Sequence, residues 1–233
     1  MEDCFSREAV FFYLFQMIKE KLQKLDIFPL MGEHLDQNNS QPLEFSANNE
    51  ALMQLELKNT KQFDAFVFQQ MMPHKKYGYG GYLENRIIYL RSEHFQSGDS
   101  RSIHLGVDIW AEAFHPVYAP LDGVVHSFKN NDHFGDYGPT IILEHDIEGE
   151  KFYTLYGHLS LNSLSEIQVG DKIVKGKAFC ELGPFPENGD WPPHLHFQLI
   201  TDMEGKEGDF PGVCSPNEQA HYQQICLDPA AFL

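Results

Sequence analysis

His104 and Asp108 stand four residues apart in His-Leu-Gly-Val-Asp, and His194 and His196 flank a single leucine in His-Leu-His. On an extended chain, side chains two or four residues apart share a face, so each pair presents its polar groups together. A helix would also bring His104 and Asp108 to one side. Two imidazoles and one carboxylate are a ligand set suited to catalytic zinc, with one position left for water. A further imidazole, His158, stands in Tyr-Gly-His-Leu-Ser at the end of an apolar run. In a chain with 12 histidines such pairs arise by chance, so it is their order along the chain that carries the signal.

The elements that must position these groups read as short strands. Runs rich in Val, Ile, Phe and Tyr lie at Val107–Ala111, Val117–Ala119, Gly123–Lys129, Thr140–His145, Phe152–Tyr156, Lys172–Val174, Ala178–Leu182 and His194–Thr201, with Gly, Pro, Asn and Asp between them. Strands at this spacing predict an antiparallel sandwich or barrel. On the last of them, His194 and His196 point one way and Leu195 points into the core. Upstream, Ser6 can cap a helix over Arg7 to Lys24, with Phe11, Leu14, Phe15, Ile18 and Leu22 on its packed face. A second helix after Ser46 carries Leu52 and Leu55, and a third runs from Lys61 to Met71. Lys75 to Tyr82, with three glycines among aromatics, has neither period and reads as a loop that could wall a pocket. The expected fold is therefore α+β. An antiparallel β-sandwich/barrel hybrid catalytic domain at 93–203 follows a helical N-terminal extension at 1–92, and 204–233 wraps the surface.

Composition narrows the function classes. The 233 residues are 42% hydrophobic and include 17 Lys+Arg against 34 Asp+Glu, a formal charge of −17. Such a surface repels phosphate backbones, which argues against nucleic acid and anionic membrane as partners. No run approaches the roughly 18 apolar residues of a membrane span; Ala9 to Ile18 is too short and contains Gln16. Glu2 and Asp3 replace the basic start of a secretory signal, and the four cysteines form no C-x-x-C pair. Reduced thiols in a cytoplasmic protein are the simpler expectation.

The ordered motifs resemble the lysostaphin-type (LytM-type) zinc metallopeptidases. His104 to Val125 (HLGVDIWAEAFHPVYAPLDGVV) is similar to that family's metal motif and the strand after it. Tyr137 to His145 with Phe152 to Ser160 resembles its central hairpin, Val169 to Gly183 its next hairpin, and His194 to Gln198 its H-L-H-F strand. The likeness covers about Ile103 to Ile200. It implies that His104, Asp108 and His196 hold Zn2+. It also implies that His158 and His194 flank the zinc-bound water, one as general base and the other orienting it or stabilising the oxyanion. The chain has no H-E-x-x-H, so a histidine must replace the usual glutamate base. The implied activity is that of a metalloendopeptidase or amidase. The alternative is a member of the same fold that binds a metal or ligand without turnover. A carrier-type reading of Val169–Gly176, with Lys172 modified, ranks last because it leaves the ligand set unexplained.

Two features depart from the family pattern. The segment Gly183–Pro193 is bulky and proline-stiffened where the family is small and Gly/Ser-rich, and the expected cytoplasmic setting differs from that of exported wall-lytic members. Gly80–His104, Trp-Pro-Pro-His-Leu-His and Gly208–Gly212 also resemble a cytosolic branch in which the domain is fused to kinase-like and aminotransferase domains. A small peptide or amide is thus the expected substrate, with peptidoglycan fragments as a further class. Tyr82, Arg86 and Trp191 are candidate substrate contacts, Arg86 for a carboxylate. His115, His126, His133 and His145 are expected in loops or on strand surfaces.

Overall fold

The computed structural model describes residues 16–96 and 98–233. The chain is mostly β. Its strands in order are β1 (Ser40–Pro42), β2 (Tyr77–Gly80), β3 (Ile103–His104), β4 (Val107–Trp110), β5 (Pro116–Tyr118), β6 (Gly123–Asn131) and β7 (Gly138–Ile147). They continue with β8 (Glu150–Gly157), β9 (Lys172–Ile173), β10 (Ala178–Glu181), β11 (His194–Ile200), β12 (Val213–Cys214) and β13 (Cys226–Leu227). The main sheet has the order β1-β2-β4-β11-β8-β7-β6-β9, with β13 also pairing β11. Every pairing in it is antiparallel except β1 with β2. The path ends at β1 and β9 without closing, so the sheet is not a barrel.

The strand register places the chemistry. In β11 every residue is buried, as expected of a central strand covered on both faces. Leu195, Phe197 and Leu199 enter one core with Val107, Ile109, Leu143 and Tyr156. His194, His196 and Gln198 alternate to the other face. There a second cluster gathers Phe45, Phe63, Phe66, Val67, Ile88, Tyr89, Phe95, Trp110, Trp191 and Val213. Fully burying each such apolar side chain contributes about 1.5–3 kcal/mol, so this cluster is a real layer.

The N-terminal region departs from its expected form. Residues 7–15 of the first expected helix lie outside the described residues, and residues 16–22 are helical. The second expected helix is one 3-10 turn, Glu50–Gln54. The third is an α-helix, Thr60–Ala65, capped by the Asn59 side chain and widening into a π-turn at Phe66–Met71. The loop expected at Lys75–Tyr82 contains β2, which pairs β1 on one side and β4 on the other. Its glycines give no side-chain period, and its place in the sheet comes from backbone pairing alone. The C-terminal segment does more than cover surface: β12 pairs β3, β13 pairs β11, and Phe210 and Phe232 are buried. No helix among the described residues is long and apolar enough to cross a membrane.

Candidate metal centre and adjoining cavity

Asp108 on β4 and His196 on β11 are direct register partners, which puts them side by side on one face. His104 joins them because Gly106 interrupts the chain between β3 and β4; a Cβ there would lie 2.9 Å from the His196 ring. His104 Nε2 is 2.9 Å from His196 Nδ1 and 3.3 Å from Asp108 Oδ1, and His196 Nδ1 is 3.1 Å from Asp108 Oδ1. All three residues are buried.

Hydrogen bonds fix which ring atoms face one another. His104 Nδ1 donates to the Gly81 carbonyl at 3.0 Å, leaving Nε2 as a lone pair. Gln198 Nε2 donates to the Pro211 carbonyl, so its Oε1 faces His196 and accepts from His196 Nε2 at 3.1 Å. His196 Nδ1 is then the lone pair. Two imidazole lone pairs and a carboxylate oxygen therefore converge with no proton of their own between them. That arrangement is repulsive unless a cation lies among them. Donor separations of about 3.3–3.4 Å are expected for tetrahedral zinc with bonds of about 2.0–2.1 Å. The donor set and its spacing fit such an ion.

The second oxygen of Asp108 has a different partner. Arg86 Nη1 donates to Asp108 Oδ2, Nε donates to Glu84 Oε2 at 2.7 Å, and Nη2 donates to the Gly80 carbonyl at 3.2 Å. The guanidinium lies 5.4 and 5.6 Å from the rings of Phe45 and Trp110. Gly81 makes this approach possible: at φ +110° it favours glycine, and a Cβ would lie 1.8 Å from Arg86 Nη2. Burial opposes ionisation of Asp108, but the Arg86 guanidinium on Oδ2 and the hydrogen-bonding rings around the carboxyl overcome it and hold it well below its usual range. Burial pushes His104 down to about 3 and His194 down to about 4, so both rings are neutral donors at pH 7.

His158 and His194 stack with ring centroids 4.1 Å apart. His158 occupies a left-handed backbone conformation, φ 61°, uncommon for a residue with a side chain. Its Nδ1 donates to the Asn188 carbonyl at 2.8 Å, and His194 Nδ1 donates to the Pro192 carbonyl at 2.7 Å. The proline-rich segment 183–193 thus supplies backbone acceptors that leave both Nε2 atoms as bases. His194 Nε2 is 3.9 Å from Asp108 Oδ2.

A cavity of about 450 Å³ adjoins these groups. Asp108, His158, His194 and His196 line it together with Phe63, Tyr89, Phe95, Trp110, Tyr137, Trp191 and Phe210. Of the three candidate substrate contacts, Trp191 is in this wall, with its indole N–H on the Asp136 carbonyl at 3.2 Å. Arg86 also borders the cavity, but its guanidinium is engaged by Asp108 and Glu84 and has no free edge for a substrate carboxylate. Tyr82 is not among the lining residues; its hydroxyl donates to the Cys226 carbonyl at 2.7 Å. Sequence reasoning missed Gly81, Gln198, Tyr89, Trp110 and Tyr137. Gln198 and Trp110 carried a signal, since each lies two residues beyond a candidate donor, His196 or Asp108, on the same strand face. His145, expected near the surface, is buried and bonded to the Asp122 carbonyl and Thr154 Oγ1.

The molecule is thus an open, largely antiparallel β protein whose central strands β4 and β11, with β3 beside them, carry a buried His/Asp/His group that could hold a metal ion. The profile described as Peptidase family M23 matches residues 102–208. Similar solved structures include a zinc-containing peptidase from Vibrio cholerae, 24% identical, covering 43% of this chain and 28% of that one, TM-score 0.32. The catalytic domain of the antimicrobial peptidase lysostaphin from Staphylococcus simulans is 24% identical, with 52% and 80% covered and TM-score 0.36. A prophage-encoded M23 catalytic domain from Enterococcus faecalis is 20% identical, with 52% and 82% covered and TM-score 0.37. The chain thus spans under a third of the Vibrio protein and about four fifths of the other two. A comparison with curated proteins finds no match.

Proposed function

We propose that the chain is a zinc-dependent amidase or metallopeptidase acting on a small peptide or amide, with peptidoglycan fragments as a further substrate class. The convergence of three lone pairs from His104, Asp108 and His196 carries this reading, supported by the M23 match that spans them. Zinc held there supplies Lewis acidity, which polarises a carbonyl and activates water. Arg86 keeps Asp108 presenting one oxygen to the ion. His158 and His194 both enter the reaction as neutral bases at Nε2. The one that takes a proton from water becomes the donor for the leaving nitrogen, and the other hydrogen-bonds the carbonyl oxygen only if it is itself protonated. Residues 93–203 are taken as the catalytic unit, with 1–92 and 204–233 as flanking segments, in a cytoplasmic setting. The test is metal content and hydrolysis together. Wild type should hold one zinc per chain and hydrolyse short peptide amides while leaving peptidoglycan suspensions turbid. A protein that binds no zinc on titration, or that clears cell walls rapidly, overturns the reading.

A further inference from the structure

We infer that the group flanking the scissile amide is an aromatic side chain, received by the cavity beside the histidines; this rests on the amidase reading above. The volume of about 450 Å³ is within the range of small-molecule sites, roughly 300–1,000 Å³, and suits a group of one or two residues. Rings make up much of its buried wall, beside Ile88, Val213 and the Arg86–Asp108 pair. Trp191 stands edge-on to Phe63 at 6.4 Å and to Tyr89 at 6.2 Å, and Tyr89 packs on Phe95 at 4.8 Å. An aromatic ligand in such a box makes edge-to-face and offset contacts that an aliphatic group of equal size lacks.

The box is already assembled. Arg91, only 2% exposed, places its guanidinium 4.5 Å from the Trp191 ring and 5.6 Å from Phe63. Its Nη2 donates to Thr60 Oγ1, while Nε and Nη1 have no hydrogen-bond partner among the described residues, where the rings are their main company. Walls held this way need little further ordering when a ligand enters. The box also begins at the reacting groups: Trp110 stacks on His194 with centroids 5.2 Å apart and planes 18° apart, and Trp191 lies 6.2 Å from His158. A side chain one bond from the amide reaches it, whereas a glycine leaves it to water. Hydrolysis there adds water across the C–N bond. The hydroxyl joins the carbonyl carbon and the nitrogen takes the proton, giving a carboxylic acid and an amine, and the acid's proton then passes to the amine to leave carboxylate and ammonium.

Both tryptophans of the chain lie in this wall, so intrinsic fluorescence reads the cavity without background. Wild type and Asp108→Asn are titrated with N-acetylphenylalaninamide, N-acetylleucinamide and N-acetylglycinamide. The expected result is saturable binding of the phenylalanine amide to both proteins, at least fivefold weaker binding of the leucine amide, and no response to the glycine amide. Equal affinity for the first two, or no response to any, overturns the inference. In hydrolysis of an aromatic amide, Phe63→Ala should raise KM at least tenfold with kcat within about threefold; Phe95→Leu serves if that variant fails to fold. An unchanged KM in a folded wall variant also overturns it. Aromatic binding without turnover keeps the cavity and rejects the amidase reading, while turnover of glycine amides without aromatic binding does the reverse.

Discussion

The segment 102–208 and the residues before it contribute to one site in different ways. The later segment supplies the candidate donors, His104, Asp108 and His196, and the candidate bases, His158 and His194, all on or beside β3, β4, β8 and β11. Among its described residues, the earlier segment supplies no member of this donor group. It contributes the Gly81 carbonyl that orients His104, the Arg86 guanidinium that holds Asp108, and the rings of Phe63, Tyr89 and Phe95. Donor identity follows from short motifs on paired strands. Donor orientation and the shape of the cavity come from side chains brought in from elsewhere in the chain. A donor group can therefore lie within one segment and still depend on residues outside it for its orientation.

Breaking the donor set should have the largest effect. Asp108→Asn is expected to reduce bound zinc to background by elemental analysis and to abolish hydrolysis, with the far-UV circular dichroism retained. Asp108→Ala should in addition destabilise the fold by about 3–5 kcal/mol in urea titration, because it strips a partner from a buried guanidinium.

Changes to the bases come next. His158→Ala and His194→Ala should keep one zinc per chain and lose about 10²–10⁴ in kcat. Loss of zinc from His158→Ala as complete as from Asp108→Asn would show that His158 is a ligand rather than a base.

The N-terminal contribution is sharpened by Arg86→Ala, which should weaken zinc about 10–100-fold in a chelator competition, the range typical of residues that orient a metal ligand. Arg86→Lys cannot bridge Asp108 and Glu84 with a planar fork and should recover only part of that affinity. Zinc affinity unchanged in a folded Arg86→Ala protein would confine the metal site to the later segment.

A separate effect, on stability rather than on the site, arises in the sheet away from the donor group. Burial lowers the His145 pKa from 6.5 to about 4. Between these values the unfolded chain binds a proton that the folded chain does not, so stability falls as pH drops from about 6.5 to 4 and is unaffected above that window. The full loss is about 3 kcal/mol. His145→Gln should flatten that part of the urea-midpoint against pH curve.

Much of the sheet and of the donor arrangement was legible because it depends on short range. The alternation in His194–Ile200 separates Leu195, Phe197 and Leu199 from His194, His196 and Gln198, and the structure keeps that separation. The spacing of His104 and Asp108 likewise placed two polar groups on one side of the chain. By contrast, Tyr77–Gly80 reads as a loop because its glycines erase the period of two, and only the open edge of β4 makes it a strand. Arg86 reads as a free cation for a substrate, since nothing local reveals a buried carboxylate 22 residues away. Which nitrogen of each histidine faces the site was also invisible, because the deciding acceptors are the carbonyls of Gly81, Asn188 and Pro192 and the amide of Gln198. Residue type and strand period therefore determined by themselves which polar groups share a face of β11. Tautomer, charge partner and cavity wall were decided only in the tertiary structure, because a hydrogen bond or a ring contact depends on atoms a few ångströms away in space, wherever they lie in the chain.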